Sequence, residues 1–159
     1  MASLEQEIGN LLRQKGLTLG VVESATGGLI SHRITNVPGS SDYFKGSVTA
    51  YSNGAKIKVV GVKEETINQY GSVSSQVAEE MAERGRKVLA VDICLADTGI
   101  AGPSGVTSGK PVGLFYLGLS HQGGTYSRKH NFQGDREQNK QSAAEAALSW
   151  LKEYLVSVK

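Results

Sequence analysis

The chain has 159 residues, 39% hydrophobic and 20% charged, which fits one globular α/β-sized domain over residues 1–159 with its own buried core. Its net charge of +2 is spread without a basic stripe or interleaved aromatics, which argues against nucleic acid as a partner. The single cysteine, Cys94, excludes an internal disulfide or a cysteine-rich zinc site, and no apolar run reaches membrane-spanning length, so a cytoplasmic protein is expected.

The polar first residues, 1–7, do not form a signal peptide. Leu4, Ile8, Leu11 and Leu12 recur at helical spacing, and Gly16 supplies a stop. Residues 17–22 are a β-branched apolar run, hence a buried strand. Ser24 or Thr26 then caps a helix carrying Leu29, Ile30 and Ile34, which Pro38 ends. Residues 44–51 read as a second strand. Asn53 caps a short helix with Ala55, Ile57, Val59 and Val60, and residues 64–69 give a further helical turn. Ser74 or Ser75 caps a helix that places Val77, Met81 and Val88 on one side.

Residues 91–96 are again nearly all apolar, the mark of a strand covered on both faces. Residues 102–111 form a glycine-rich loop without a period. Residues 112–119 and 125–132 alternate as paired strands around the turn His121-Gln122-Gly123-Gly124. A last helix begins near Asp135 and buries Ala143, Ala144, Ala147, Leu148, Leu151 and Leu155. This order predicts a three-layer α/β/α sandwich with a mixed, mostly parallel sheet whose final strands run antiparallel.

Two glycine-bearing segments sit at the ends of buried strands: Glu23-Ser24-Ala25-Thr26-Gly27-Gly28 and Thr98-Gly99-Ile100-Ala101-Gly102-Pro103. At the C-terminal ends of parallel strands, backbone N–H groups and hydroxyls point one way, which suits a small anion. Ser24 is a candidate nucleophile, and the N–H groups after it serve equally as an oxyanion hole or a phosphate cradle. The residues alone leave open whether Ser24 and Thr26 do more than cap the helix. The histidines His32, His121 and His130 suggest no triad. Lys56 is the other available base, provided burial or positive neighbours keep it neutral, with Tyr51 to relay a proton or orient it; from composition alone it reads more readily as a solvated helix lysine. Ser40 and Ser41 stand on a turn that either brings hydroxyls towards the pocket or is simply a polar loop, the residues alone favouring the loop. Thr98, Gly99, Ala101 and Gly102 offer a second donor loop, and Arg136 can grip a phosphate with its fork. There is no GxGxxG fingerprint, Walker A loop or zinc-ligand cluster, so no cofactor and no metal are indicated. The oligomeric state stays open, a homo-oligomer included.

The ordered set ESATGG at 23–28, PGSS at 38–41, YSNGAK at 51–56, GSVS at 71–74, TGIAGP at 98–103, KPVG at 110–113 and GDR at 134–136 resembles the CinA C-terminal domain family. The resemblance implies a stand-alone nicotinamide-nucleotide amidase, which deamidates nicotinamide mononucleotide to nicotinate mononucleotide and ammonia without a metal. On that implication Ser24 attacks, Lys56 takes and returns the proton, and the N–H groups near Thr26, Gly27 and Gly28 hold the oxyanion. Ser41 and Tyr51 would support the proton network, with Ser41 the second candidate nucleophile. Thr98 and the loop after it would hold the ribose phosphate. A catalytically silent nucleotide-binding paralogue on the same fold is the alternative. Three residues depart from the family pattern, the first being Ala25, which stands where many relatives have cysteine. Asp97 puts a carboxylate before the Thr98 loop, counting against phosphate binding unless Arg136 or Lys110 pairs it. Lys140 replaces an arginine that would grip a phosphate with both arms.

Overall fold

A computed structural model of the protein describes residues 1–106 and 109–158. Five strands form one sheet in the order β2-β1-β3-β4-β5. They are β1 (Leu19–Glu23), β2 (Phe44–Thr49), β3 (Ile93–Gly99), β4 (Leu114–His121) and β5 (Gly124–Asn131). β1 lies parallel to both β2 and β3, whereas β4 and β5 join antiparallel. The mixed sheet and its antiparallel edge agree with the sequence reading.

Alternation along the strands explains the layers. Leu19 and Val21 of β1, Ile93 and Leu95 of β3, and Leu117 and Leu119 of β4 all face one side. There they meet Ile8 and Leu12 of α1 (Leu4–Lys15), Ile30 and Ile34 of α2 (Leu29–Thr35), and Leu148 and Leu151 of α6 (Arg136–Ser157). The intervening Val22, Cys94 and Ala96 face Val77 and Met81 of α5 (Ser75–Val88) on the opposite side. A period of two in the strands, set between helices of period 3.6, produces the three layers. Carried two residues further, the same parity sends Glu23 and Asp97 towards α2 and Thr98 towards α5.

Local details differ from the expectations. α2 is capped by neither Ser24 nor Thr26: its N-cap is Gly28 at φ 102°, after Gly27 at φ 62°, two left-handed residues that swing the chain off β1. Ser52, not Asn53, caps α3 (Asn53–Ala55) by accepting from the Ala55 amide. Val88 is exposed at the end of α5, while Ser74 caps that helix as expected. The predicted loop 102–111 partly falls on residues 107 and 108, which lie outside the described residues. No helix among the described residues is long and apolar enough to cross a membrane.

Candidate active site

The chain leaves β1 for β2 on one side and later returns as β3 on the other. The strand order therefore reverses at β1, and the crevice beyond the C-terminal ends of β1 and β3 is where such sheets hold ligands. A cleft of about 250 Å³ opens there, with Ser24, Ala25, Lys56, Thr98, Ala101 and Arg136 in its wall.

Lys56 enters this cleft through an irregular helical segment. After α3 the backbone widens into a π turn, Lys56–Val60, whose two buried side chains are Lys56 and Val60. Extra-residue turns of this kind re-aim one side chain without breaking the helix, and they gather at functional sites. Lys56 is 2% exposed and Ser24 6%. Lys56 Nζ lies 2.9 Å from Ser24 Oγ and 3.1 Å from the Ala50 carbonyl oxygen, to which it donates. Burial pulls the Lys56 ammonium below the ordinary lysine value, and a negative charge on Asp97 would act in the opposite sense. An amine drawn towards neutrality against a serine hydroxyl is the arrangement a serine nucleophile needs when no histidine is at hand.

The donors expected beside Ser24 are already occupied. The Thr26 amide donates to Asp97 Oδ2 at 3.1 Å, the Gly27 amide to the Ser24 carbonyl at 3.0 Å, and the Gly28 amide to Glu23 Oε1 at 3.1 Å. Thr26 is fully buried, and Gly27 and Gly28 border a separate surface cleft with Lys140. The expectation that Thr26, Gly27 and Gly28 bind substrate is therefore corrected: their amides are spent inside the fold. The Ala25 amide has no protein partner among the described residues and adjoins Ser24 in the cleft wall, so it is the donor open to an oxyanion.

Ser41 is also corrected. It lies before β2, whose first residue, Phe44, pairs with the first residue of β1. Ser41 is thus removed from Ser24 by the length of β1, five residues at about 3.3 Å each. Parallel strands send both chains the same way, so a turn entering β2 cannot share a rim with a turn leaving β1.

The second loop lines the cleft, but the Thr98 hydroxyl expected to face a ligand is committed inside the fold. Thr98 is 1% exposed and donates its hydroxyl to the Ser72 carbonyl at 2.7 Å, tying the start of α5 to the cleft. Gly99 closes β3, and the amides of Ala101, Ser104 and Gly105 in the cleft wall have no protein partner among the described residues. Gly102, at φ 96°, turns its carbonyl to Arg136 Nη1 at 2.8 Å. Arg136 Nη2 donates to the Tyr51 hydroxyl at 3.0 Å. Tyr51 is 63% exposed at the mouth and touches Arg136, whereas Lys56 is oriented by Ala50. Among the described residues no carboxylate pairs with Arg136, which leaves its charge for a ligand.

Asp97 and Lys140 do not affect that charge. Asp97 is completely buried and faces the Ser24 loop rather than the cleft, and neither Arg136 nor Lys110 pairs with it. Lys110 donates instead to the Tyr70 carbonyl. Lys140 stands outside Gly27, in the other cleft. Sequence reasoning missed Glu23 as the internal cap of α2: it accepts from the amides of Gly28, Ile30 and Ser31 and from the Ser31 and Thr26 hydroxyls. The available signal was a carboxylate closing an otherwise wholly buried strand, since such a group must find donors.

A buried amine–hydroxyl pair at the switch point of a doubly covered α/β sheet defines the class of domain. The family described as CinA C-terminal domain matches residues 1–155, and the chain belongs to it. A CinA-like protein of Dictyoglomus turgidum is 52% identical over 134 residues, covering 84% of this chain and 33% of its own length. A CinA-like protein of Salinibacter ruber is 48% identical over 146 residues, 92% of this chain and 35% of its own length. The chain thus spans little more than a third of the curated relatives it matches. The crystal structure of competence damage-inducible protein A from Klebsiella pneumoniae superposes with a TM-score of 0.95 at 29% identity, over 98% of this chain and 97% of that one.

Proposed function

We propose that the domain is an amidohydrolase that converts nicotinamide mononucleotide to nicotinate mononucleotide and ammonia, a pyridine-nucleotide recycling step. The observation that carries this reading is the 2.9 Å contact between the buried Lys56 amine and the Ser24 hydroxyl. Ser24 Oγ attacks the carboxamide carbon while Lys56 takes its proton. The oxyanion that develops meets the Ala25 amide. Lys56, now an ammonium, protonates the departing nitrogen, and ammonia leaves. Water then attacks the acyl-serine with Lys56 again as base, releasing the carboxylate and restoring the hydroxyl. The substrate's phosphate fits the unpaired charge of Arg136 and the amides of Ala101, Ser104 and Gly105, which favours a phosphorylated amide over a neutral one.

The test is ammonia release from nicotinamide mononucleotide and from its dephosphorylated riboside. The expected result is turnover of the nucleotide in preference to the riboside, with kcat lowered about 10²–10⁴-fold by Lys56→Met and at least as far by Ser24→Ala. Turnover restricted to unphosphorylated amides would reject the substrate. Binding of the nucleotide without any ammonia would mark a silent binding module instead.

A further inference from the structure

Two buried carboxyl groups meet a single hydroxyl directly beneath the Ser24 loop. Thr26 Oγ1 lies 2.6 Å from Glu23 Oε1 and 2.5 Å from Asp97 Oδ1. A threonine hydroxyl has one proton to donate, and an ionised carboxylate has none. With both carboxyls ionised, one of the two contacts would set oxygen against oxygen with nothing between them. The three oxygens therefore hold two protons, and one carboxyl is an acid. Donor supply identifies it. Glu23 also accepts from three amides and the Ser31 hydroxyl at the start of α2, a setting for an anion. Among the described residues Asp97 otherwise accepts from only the Ser24 and Thr26 amides, which a neutral carboxyl can also do.

Lys56 gives an independent sign. Among the described residues, two oxygens lie within hydrogen-bond reach of Nζ: Ser24 Oγ and the Ala50 carbonyl. An ammonium has three protons to place, whereas a free amine donates to Ala50 and accepts from Ser24. Among the described residues Asp97 and Lys56 form no ion pair, so separated charges on these two buried side chains would lack the contact that makes a buried pair tolerable. Burial pushes Asp97 up and Lys56 down; the rise of Asp97 stops at about 6 when Thr26 donates to it, and goes further when Asp97 is itself the donor in that contact. The groups that act on Asp97 or bond to it are Glu23 and Ser24 around the end of β1, Lys56 from the π turn and Thr26 before α2, and its cross-strand partner on β4 is the apolar Leu117.

We propose that Asp97 and Lys56 hold one proton between them and that it rests on Asp97, which donates it to Thr26 and leaves Lys56 a free amine facing Ser24. Asp97 is then a positioning residue. Its two oxygens clamp the amides on either side of Ala25, and its neutrality spares Lys56 an attraction that would keep it protonated. The proton's location stands on the hydrogen bonds; its catalytic consequence rests on the amidase reading.

Carbon-13 NMR of the full chain without substrate tests this, with the Asp97 carboxyl and Lys56 ε-carbon assigned through bonds. At pH 7 the expected spectrum has Asp97 as the acid and Lys56 as the amine. An ionised Asp97 with a Lys56 ammonium at pH 7 would overturn the proposal. In Asp97→Asn one neutral group replaces another, so the Lys56 midpoint stays in place. Removal of a true carboxylate would instead lower it by about one unit or more. If the amidase reading holds, the same variant loses about five-fold in kcat, one hydrogen bond's worth, without moving the pH midpoint. These NMR midpoints need no turnover, so they can be read even if nicotinamide mononucleotide is not the substrate. The wild-type spectrum decides the matter even if Asp97→Asn does not fold.

Discussion

The two glycine-bearing loops look alike in sequence, yet they use their amides in opposite ways. After β1, the donors of residues 26–28 turn inward, to Asp97, the Ser24 carbonyl and Glu23. After β3, the amides of Ala101, Ser104 and Gly105 have no protein partner among the described residues and sit in the cleft wall beside Arg136. The first loop is a mount for one hydroxyl, and on the proposed reading the second receives the ligand. Glycines at a strand end thus announce a turn, while the carboxylates beneath it decide whether the turn's amides are still available.

Removing the carboxylate that fills the first loop should cost stability above all. In Glu23→Ala the amides of Gly28, Ile30 and Ser31 lose their acceptor. A loss of about 3 kcal/mol is expected, at about 1 kcal/mol for each donor left unpaired. For a chain of this size that lowers the thermal midpoint by roughly 10 °C. A midpoint within a degree or two of wild type would mean that the loop does not depend on Glu23. The second loop should respond in binding and not in folding. Arg136→Ala is expected to raise KM for a phosphorylated amide about 10- to 100-fold, since hydrogen bonds to charged groups contribute about 1.5–3 kcal/mol. Its thermal midpoint should stay close to wild type. An unchanged KM would show that the phosphate lies elsewhere.

The same contrast explains what could be read in advance. The layers were legible because strand parity and helical spacing persist through long buried runs, from Leu19 and Val21 to Leu148 and Leu151. Lys56 was not legible from its own surroundings, because a lysine after a helix cap reads as a solvated one. Its position made it a candidate and the resemblance gave it a role, but the π turn that directs it inward leaves no mark in the sequence. Ser41 misled for a topological reason: a turn entering one parallel strand looks like a turn leaving its neighbour until the register is known. Asp97 drew notice as a charge near the phosphate loop, but its place on the strand turns it to the other side of the sheet, where it grips the Ser24 and Thr26 amides.

The central claim is that a buried, neutral Lys56 serves as the base for Ser24, and the pH dependence of ammonia release measures it most directly. A base must be unprotonated to act, so the rate should rise with pH and level off, with a midpoint below the ordinary lysine value of 10.5 because burial disfavours the ammonium. Lys56→Met should remove that rise along with most of the activity. A Lys56→Met protein that keeps both the wild-type rate and the wild-type pH profile would contradict the account.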